Sequence, residues 1–391
     1  MIKHLFKLVW NRKRANILIV AEMFFSFLVL FAVVAFGLYY ADSYRQPLGF
    51  SYENVWNIFV ISRASDPQNV LTTKQMLYQA LKDLNEVEAV AGAQTAVPYE
   101  SNRSRRRHSH RGRSILVEVG RVTDDFKEVL GLKIIHGRWF EKADDALGWD
   151  PVIINQRFSR EMFGSEDPLG KNIASAKAIR EVRVVGVVSD FRKHGELSQS
   201  VNFLLERILF QKPSFDNFMI RVRPGAPATF EEKLMAQLQA IVQDWTFHIR
   251  PMSQMRASYL KLRLAPLITA GLIAAFLMMI VGLGLMGVLY QNVTQRTKEI
   301  GLRRANGATA EHIYKQILGE LLVITTFGVA AGTLIIVQFP LLRWFAFISG
   351  KVYIISLAIS VAMMYLLTVL CGLYPARLAT KVHPAEALHY E

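Results

Sequence analysis

Cysteine is nearly absent: Cys371 is the only one in 391 residues. A disulfide within the chain is therefore excluded, as are the thiolate clusters that hold structural zinc. Any folded part outside a membrane has to stand on its hydrophobic core, even in an oxidising compartment. Histidines are dispersed. His4, His136, His194, His248, His312, His383 and His389 assemble neither a metal spacing nor a Ser/His/Asp set, so the chain reads as a non-enzyme with no catalytic residues and no metal site. Nucleotide motifs are missing too. The stretch from Gly164 to Asn172 imitates a phosphate loop, but five residues separate Gly164 from Gly170 where the motif has four, and the Ser or Thr that would hold magnesium is absent. It reads as a turn. Gly282-x-Gly284-x-x-Gly287 matches a dinucleotide fingerprint by letters only, because it lies inside an apolar run and cannot follow a strand. There, and at Gly328 and Gly332, small residues suit close approach of helices.

Apolar residues are what the chain has in excess, at 52%. Four runs reach the roughly 20 residues that cross a hydrocarbon core: 17–40, broken by Glu22 and Ser26; 264–292, with Pro266 expected in the first helical turn; 317–342, with Glu320 near its start; and 352–373. The first is too long for a signal peptide, and no small-residue cleavage site follows it. Tyr39, Tyr40 and Tyr44 stand at its far end like an interfacial belt.

The net charge of +14 fits nucleic-acid binding, membrane orientation or solvated loops, and its placement separates them. Lys3, Lys7, Arg12, Lys13 and Arg14 precede the first run; Arg296, Lys298, Arg303, Arg304 and Lys315 separate the second from the third; Arg377 and Lys381 follow the fourth. Only Arg343 and Lys351 lie between the third and fourth. Excess basic charge marks cytoplasmic flanks. The expected layout is a cytoplasmic segment 1–16, span 17–40, an external domain and stalk 41–263, span 264–292, a cytoplasmic segment 293–316, span 317–342, an external loop 343–351, span 352–373 and a cytoplasmic tail 374–391. Nucleic acid is not an expected partner of a basic external surface.

The external part reads as α+β. Strand patterns at 55–61 and 87–93 flank a helix pattern at 72–84 with a threonine cap, and strand patterns at 218–222 and 245–249 flank a helix at 229–242. These are two βαβ-type units expected to pack together, with a second subdomain at about 99–210 inserted between them. The insert carries strand patterns at 115–122, 152–155 and 182–188 and a helix at 156–163 ended by Gly164. Residues 252–263 continue as helix toward the second span and would make a stiff lever.

Three features invite functional readings. The basic run from Arg103 to Arg113 is either a flexible solvated loop or a surface for lipid phosphates or an acidic substrate through Arg105, Arg106, Arg107 and Arg111. A metal at His108 and His110 would lack a carboxylate or thiol partner. Glu22, inside the first span, either serves coupling or helix pairing, or reaches back to the interface and its basic flank. The segment 295–309 is a short helix with a stop at Gly307, after which Thr309 can cap the next helix with Glu311 in its first turn. A rigid helix there suits force transfer to a cytoplasmic partner, or serves only as an interfacial linker.

The same segment carries a resemblance. Arg296-x-Lys298-Glu299-Ile300-Gly301-x-Arg303-x-Ala-x-Gly307-Ala308-Thr309 resembles the signature of FtsX-like permeases, the MacB-type mechanotransmission class of ABC transporters. The ending, Tyr374-Pro375-Ala376 through Pro384-Ala-Glu386-Ala387-Leu388, is similar to the family's closing motif. Gly137-Arg138-Trp139-Phe140, Val152 to Asn155, Phe163-Gly164 with Asp167-Pro168, and Val184 to Phe191 resemble its periplasmic core. The resemblance implies four membrane helices with an α+β porter-like domain and an inserted Sabre-like subdomain between helices one and two. It implies a multi-pass inner-membrane permease subunit with a periplasmic domain, acting as a homo- or heterodimer in efflux or extraction. Glu299, Ile300, Gly301, Arg303, Arg304 and Gly307 would couple to an ABC ATPase, with Pro384, Glu386 and Leu388 beside it. No ATPase motif is present, so ATP and Mg are expected on a separate ATPase polypeptide and no cofactor on this chain. A periplasmic adaptor or outer-membrane channel is a further expected partner. The alternative is a transmembrane signalling subunit that regulates a cell-wall hydrolase or envelope sensor.

Overall fold

The computed structural model describes residues 13–62, 66–175, 180–209, 215–227, 229–295, 300, 302–303, 307–342, 344 and 347–380. Two compact units are present: Ser43–Arg263, and Met1–Asp42 together with Leu264–Glu391.

In the first of these units, β1 (Val55–Ile61), α2 (Pro67–Lys82) and β2 (Val87–Gln94) form one βαβ unit; α1 is the helix Lys13–Arg45 that precedes them. The second βαβ unit is β10 (Asn217–Val222), α5 (Phe230–Ile241) and β11 (Thr246–Pro251). The two interleave: β10 pairs with both β1 and β2, and β1 pairs with β10 and β11. The resulting order β11-β1-β10-β2 is the split βαβ arrangement of ferredoxin-like folds. Period-2 alternation sends Ile58, Val60, Phe218, Ile220, Phe247 and Ile249 to one face, where Leu77 and Leu81 of α2 and Phe230, Leu234 and Leu238 of α5 cover them. Truncating one such leucine to alanine costs about 2–5 kcal/mol.

The insert contributes β3 (Arg105–His110), β4 (Arg113–Val122), α3 (Phe126–Leu130), β5 (Ile134–Gly137), β6 (Asp150–Asn155), α4 (Gln156–Phe163), β7 (Ala174–Ser175), β8 (Val182–Val188) and β9 (Phe203–Arg207). Its strands are not a separate sheet. β2 pairs with β4 at Ala93 and Gln94, so the order runs on as β2-β4-β9-β6-β8-β5. One core then serves both parts, with Val55, Ala91 and Met219 sharing a cluster with Phe126, Trp139, Phe191 and Phe203.

Several expectations need correction. The first βαβ helix starts five residues earlier than the 72–84 pattern suggests, at Pro67. Its cap is Asp66, whose side chain accepts from Gln68 N, with Pro67 at a position where a missing N–H costs nothing. The run from Arg103 to Arg113 is not a loop: β3 and β4 form a hairpin closed by Arg111-Gly112, both at positive φ. Pro266 does not lie in a first turn. Helix α6 runs unbroken over Met252–Gln295, so this proline is an interior residue.

Four helices among the described residues are long and apolar enough to cross a membrane: 17–45 of α1, α6, then α7 (Ala310–Ile336) with the short α8 (Gln338–Leu341), and 350–373 of α9 (Gly350–Thr380). Span one supplies Met23, Phe27 and Phe31 to a core shared with Leu321 and Ile324 of α7 and Met364 of α9. Glycines set the approach. A Cβ at Gly328 would lie 2.9 Å from Met23 Cβ, and one at Gly332 would lie 2.5 Å from Phe27 Cδ1. The small residues at i and i+4 of α7 thus seat span one against it.

Candidate coupling segment and stalk joint

The residues nominated for coupling divide. Glu299, Gly301 and Arg304 lie outside the described residues, as do Pro384, Glu386 and Leu388. Ile300, Arg303 and Gly307 are described. Ile300 is buried and packs with Val293 at the end of α6 and with Ile313 and Ile317 of α7, which fixes the segment to both flanking helices. Arg303 Nη1 donates to Gln316 Oε1 at 2.8 Å, and Gln316 Nε2 reaches Glu320 Oε1 at 3.4 Å. Ala308 N donates to Arg303 O at 3.0 Å across Gly307, whose φ is +92°. A bond from C″ back to C3 with a left-handed glycine between them is the closure of a Schellman cap. Thr309 then caps α7 by accepting from His312 N, and Glu311 pairs with Lys315 one turn on. Stop, cap and restart thus follow within three residues, a turn in which every feature has a chemical reason.

Glu22 sits where α1 meets α6. Its Oε2 would lie 3.1 Å from a Cβ at Gly284. Gly282, one step away, faces Cys371 of α9 at 3.1 Å in the same sense. The Gly282-x-Gly284 pair therefore accommodates two neighbouring spans.

The basic hairpin is engaged mainly by carboxylates of its own unit. Arg105 lies 3.1 Å from Glu118, Arg106 is 2.5 Å from Glu206, and Arg111 is 3.0 Å from Glu166. Arg107 is exposed on β3. His108 is buried within the hairpin and burial pushes its pKa down. His110 Nδ1 lies 2.8 Å from Asn172 O. Among the described residues no group of three or more His, Cys, Asp or Glu is placed to hold a metal.

Sequence reasoning missed a joint built on residues 191–198. Arg192, 3% exposed, donates to the carbonyls of Ser43 (2.6 Å), Gln46 (3.2 Å) and Glu196 (2.6 Å), and through Nε to that of Ser198 (2.8 Å). It ties the end of α1 and the chain leaving it to the loop. Glu196 accepts from Arg256 of α6, which also donates to Tyr44 OH at 3.2 Å and lies 4.8 Å over the Tyr52 ring. The same loop thus holds residues of α1 and of α6. Next to it, Lys193 is buried and donates to the carbonyls of Thr95 and Asn102, and His194 pairs with Glu118. No local pattern announces this joint: Arg192, Lys193, His194 and Glu196 read as a charged surface turn until their partners arrive from 60 to 150 residues away.

Comparison with known families agrees with this architecture. Residues 23–240 match the MacB-like periplasmic core domain, and residues 271–384 match the FtsX-like permease C-terminal family. The macrolide export ATP-binding/permease protein MacB of Bdellovibrio bacteriovorus is 27% identical over 330 residues, covering 80% of this chain and 50% of its own length. The ABC transporter permease YknZ of Bacillus subtilis is 28% identical over 283 residues, 70% of each chain. The chain spans about half the length of the MacB relatives it matches. Among solved structures, the periplasmic region of MacB from Actinobacillus actinomycetemcomitans is 18% identical, with a TM-score of 0.40, over 53% of this chain and 92% of that one. This multi-pass membrane chain belongs to the FtsX-like permeases of ABC transporters with a MacB-like periplasmic core domain.

Proposed function

We propose that this chain is the permease subunit of an ABC exporter or extractor, carrying ATP-driven movement from a separate cytoplasmic ATPase to the periplasmic domain. The subunit would work in the inner membrane as a dimer, with both termini and the 293–316 segment cytoplasmic. The observation that carries the reading is the stalk joint. Two helices that continue as apolar spans, α1 and α6, are bound to one buried loop through Arg192 and through the Arg256–Glu196 pair. A displacement of either helix is passed to that loop instead of being lost in a flexible linker. At the other end of α6, Ile300 and the Gly307 cap give the turn between spans two and three a defined shape, suited to seating in a groove of an ATPase. The chain's own part is mechanical: bind, transmit and position. ATP and Mg would be bound by the partner.

The test is reconstitution. The protein is purified from its native membrane in gentle detergent, copurifying proteins are identified, and ATP hydrolysis by the complex is measured. An ABC ATPase whose hydrolysis depends on this chain supports the reading. An intact permease dimer with no ATPase partner overturns it.

A further inference from the structure

On one face of the β3–β4 hairpin, cations outnumber carboxylates. Arg105 Nη2 lies 3.1 Å and Arg103 Nε 3.8 Å from the same oxygen, Oε1 of Glu118, so the two nitrogens are no more than about 7 Å apart. The other oxygen of this buried carboxylate is taken by His194. Arg107 follows Arg105 by two residues on β3, hence on the same face and about 7 Å along the strand. It is exposed and forms no ion pair among the described residues. The rest of the hairpin is matched: Arg106, on the opposite face, has Glu206, and Arg111, at the turn, has Glu166. Buried Lys193 adds positive charge near Glu118, and its second carboxylate, Glu100, is shared with Arg250.

We infer that this face binds a phosphate group, free or on a lipid, held by Arg103, Arg105 and Arg107. Charge and geometry both fit. Three guanidiniums against one carboxylate leave an excess of two charges, and a phosphate monoester carries about −1.5 to −2 at pH 7. Glu118 draws Nε and Nη2 of Arg105, and from Arg103 only an Nε beyond hydrogen-bond length. Nη1 of Arg105 and the Nη groups of Arg103 remain as donors. Bonds from guanidinium to phosphate run to about 2.7–2.9 Å, so two oxygens of one phosphate span the gap between these side chains. The planar fork of arginine suits that pairing better than an ammonium does. Exposed Leu116, cross-strand from Arg107, would lie beside the chain of a lipid. Charge on an exposed strand also discourages edge pairing. Any cation serves that purpose, however, and it requires no convergence of two guanidiniums on one oxygen. The site lies wholly within the periplasmic unit and stands whether or not the chain works with an ATPase.

The test uses the full chain in dodecyl maltoside at low salt and two probes, inorganic phosphate and short-chain dihexanoyl phosphatidic acid. Binding is read from the broadening of the probe's phosphorus NMR line. Arg103→Gln and Arg107→Gln remove one guanidinium each, and Arg111→Gln is the control that removes equal charge from the same hairpin at a matched pair. Wild type should broaden at least one probe. Arg103→Gln and Arg107→Gln should each weaken that binding by about tenfold, the loss of one charge-assisted bond, and Arg111→Gln should bind as wild type does. Tighter binding of phosphatidic acid than of phosphate would identify a lipid headgroup, and equal binding would identify the free anion. No broadening of either probe by wild type overturns the proposal. So does equal weakening in all three variants, which would report only the general positive field, or unchanged binding in both Arg103→Gln and Arg107→Gln. If one of these two fails to fold, the other decides, since neither side chain is buried.

Discussion

Nε2 of His194 lies 2.7 Å from Oε2 of Glu118, and the two side chains are 5% and 4% exposed. Burial alone would push the Glu118 carboxyl up. The His194 hydrogen bond and charge, with Arg105 and Lys193 nearby, outweigh it and hold the pKa at about 2 against an ordinary 4.5. The folded state therefore binds fewer protons than the unfolded one between those values. Glu118 contributes stability that is fully present above pH 4.5 and is lost as pH falls through about 2. Glu118→Gln should lower stability at neutral pH by about 3 kcal/mol. The gap to wild type should narrow as the pH is brought from 5 toward 2, a range of about three units that spans both pKa values. Thermal unfolding by intrinsic fluorescence across that range checks it; a constant gap would mean that the pair carries no linkage.

Lys193 gives a rise with pH of the same sign in a second, alkaline window. Burial lowers its pKa to about 8 from an ordinary 10.5, with Glu118 and Glu100 opposing the shift and Arg103 adding to it. Below pH 8 both folded and unfolded states carry the charge, and the folded state bears the full desolvation cost. Between about 8 and 10.5 the unfolded chain binds more protons, so this residue's contribution to stability rises with pH. Lys193→Met removes the titrating group along with its bonds to the Thr95 and Asn102 carbonyls. The variant should lack that rise, losing ground to wild type by up to about 1.4 kcal/mol per pH unit within the window. Parallel melting curves for the two proteins from pH 8 to pH 10, inside that window, would contradict the assignment.

What the sequence made legible follows the range of the interactions involved. The spans, the strands of the two βαβ units and the stop at Gly307 are announced by local hydropathy, period-2 alternation and cap chemistry. Interleaving of the two units is a pairing between β1 and β10, and their matching element order hinted at it. β3 was invisible because its residues are Arg and His, and its stability as a strand comes from Glu118, Glu206 and Ile115 on other strands. The start of α2 is marked locally by Asp66-Pro67, a cap and first-turn proline that stand ahead of the threonine at 72. Residues 191–198 could not be read locally at all, since a buried Arg192 is specified by carbonyls of Ser43 and Gln46. For the segment around 295–309 the Gly307 stop and Thr309 cap are legible in the sequence, and the structure adds the packing of Ile300 and the bond from Ala308 N to Arg303 O.

Span packing yields a third prediction. Phe27 is fully buried, and its Cδ1 would lie 2.5 Å from a Cβ at Gly332. That is closer than side chains tolerate, so span one must move or tilt if the position grows. Gly332→Val should lower the thermal transition of the detergent-solubilised protein by several degrees, and Gly332→Ala by less. Gly287→Ala is the control, since no atom lies within 4 Å of its Cβ position. Equal behaviour of the two positions would show that the α7 glycines do not seat span one.

The last prediction concerns the turn after α6. Gly307 has φ +92°, a conformation that costs a non-glycine residue about 1 kcal/mol or more, and the cap it closes returns Ala308 N to Arg303 O. Gly307→Val should disorder this cap while leaving the periplasmic unit, whose core shares no residue with it, at its wild-type stability. Arg303→Ala removes the bond to Gln316 and a charge, but spares the cap. If shape is what couples this segment to an ATPase, Gly307→Val should depress permease-dependent ATP hydrolysis severalfold, and Arg303→Ala should do so to a smaller degree. If charge alone matters, the order reverses. Hydrolysis rates of the reconstituted complex, with dimer and ATPase stoichiometry verified for each variant, distinguish the two. Wild-type rates in both variants would remove the turn from the coupling path, because neither its geometry nor its cation would then be felt by the partner.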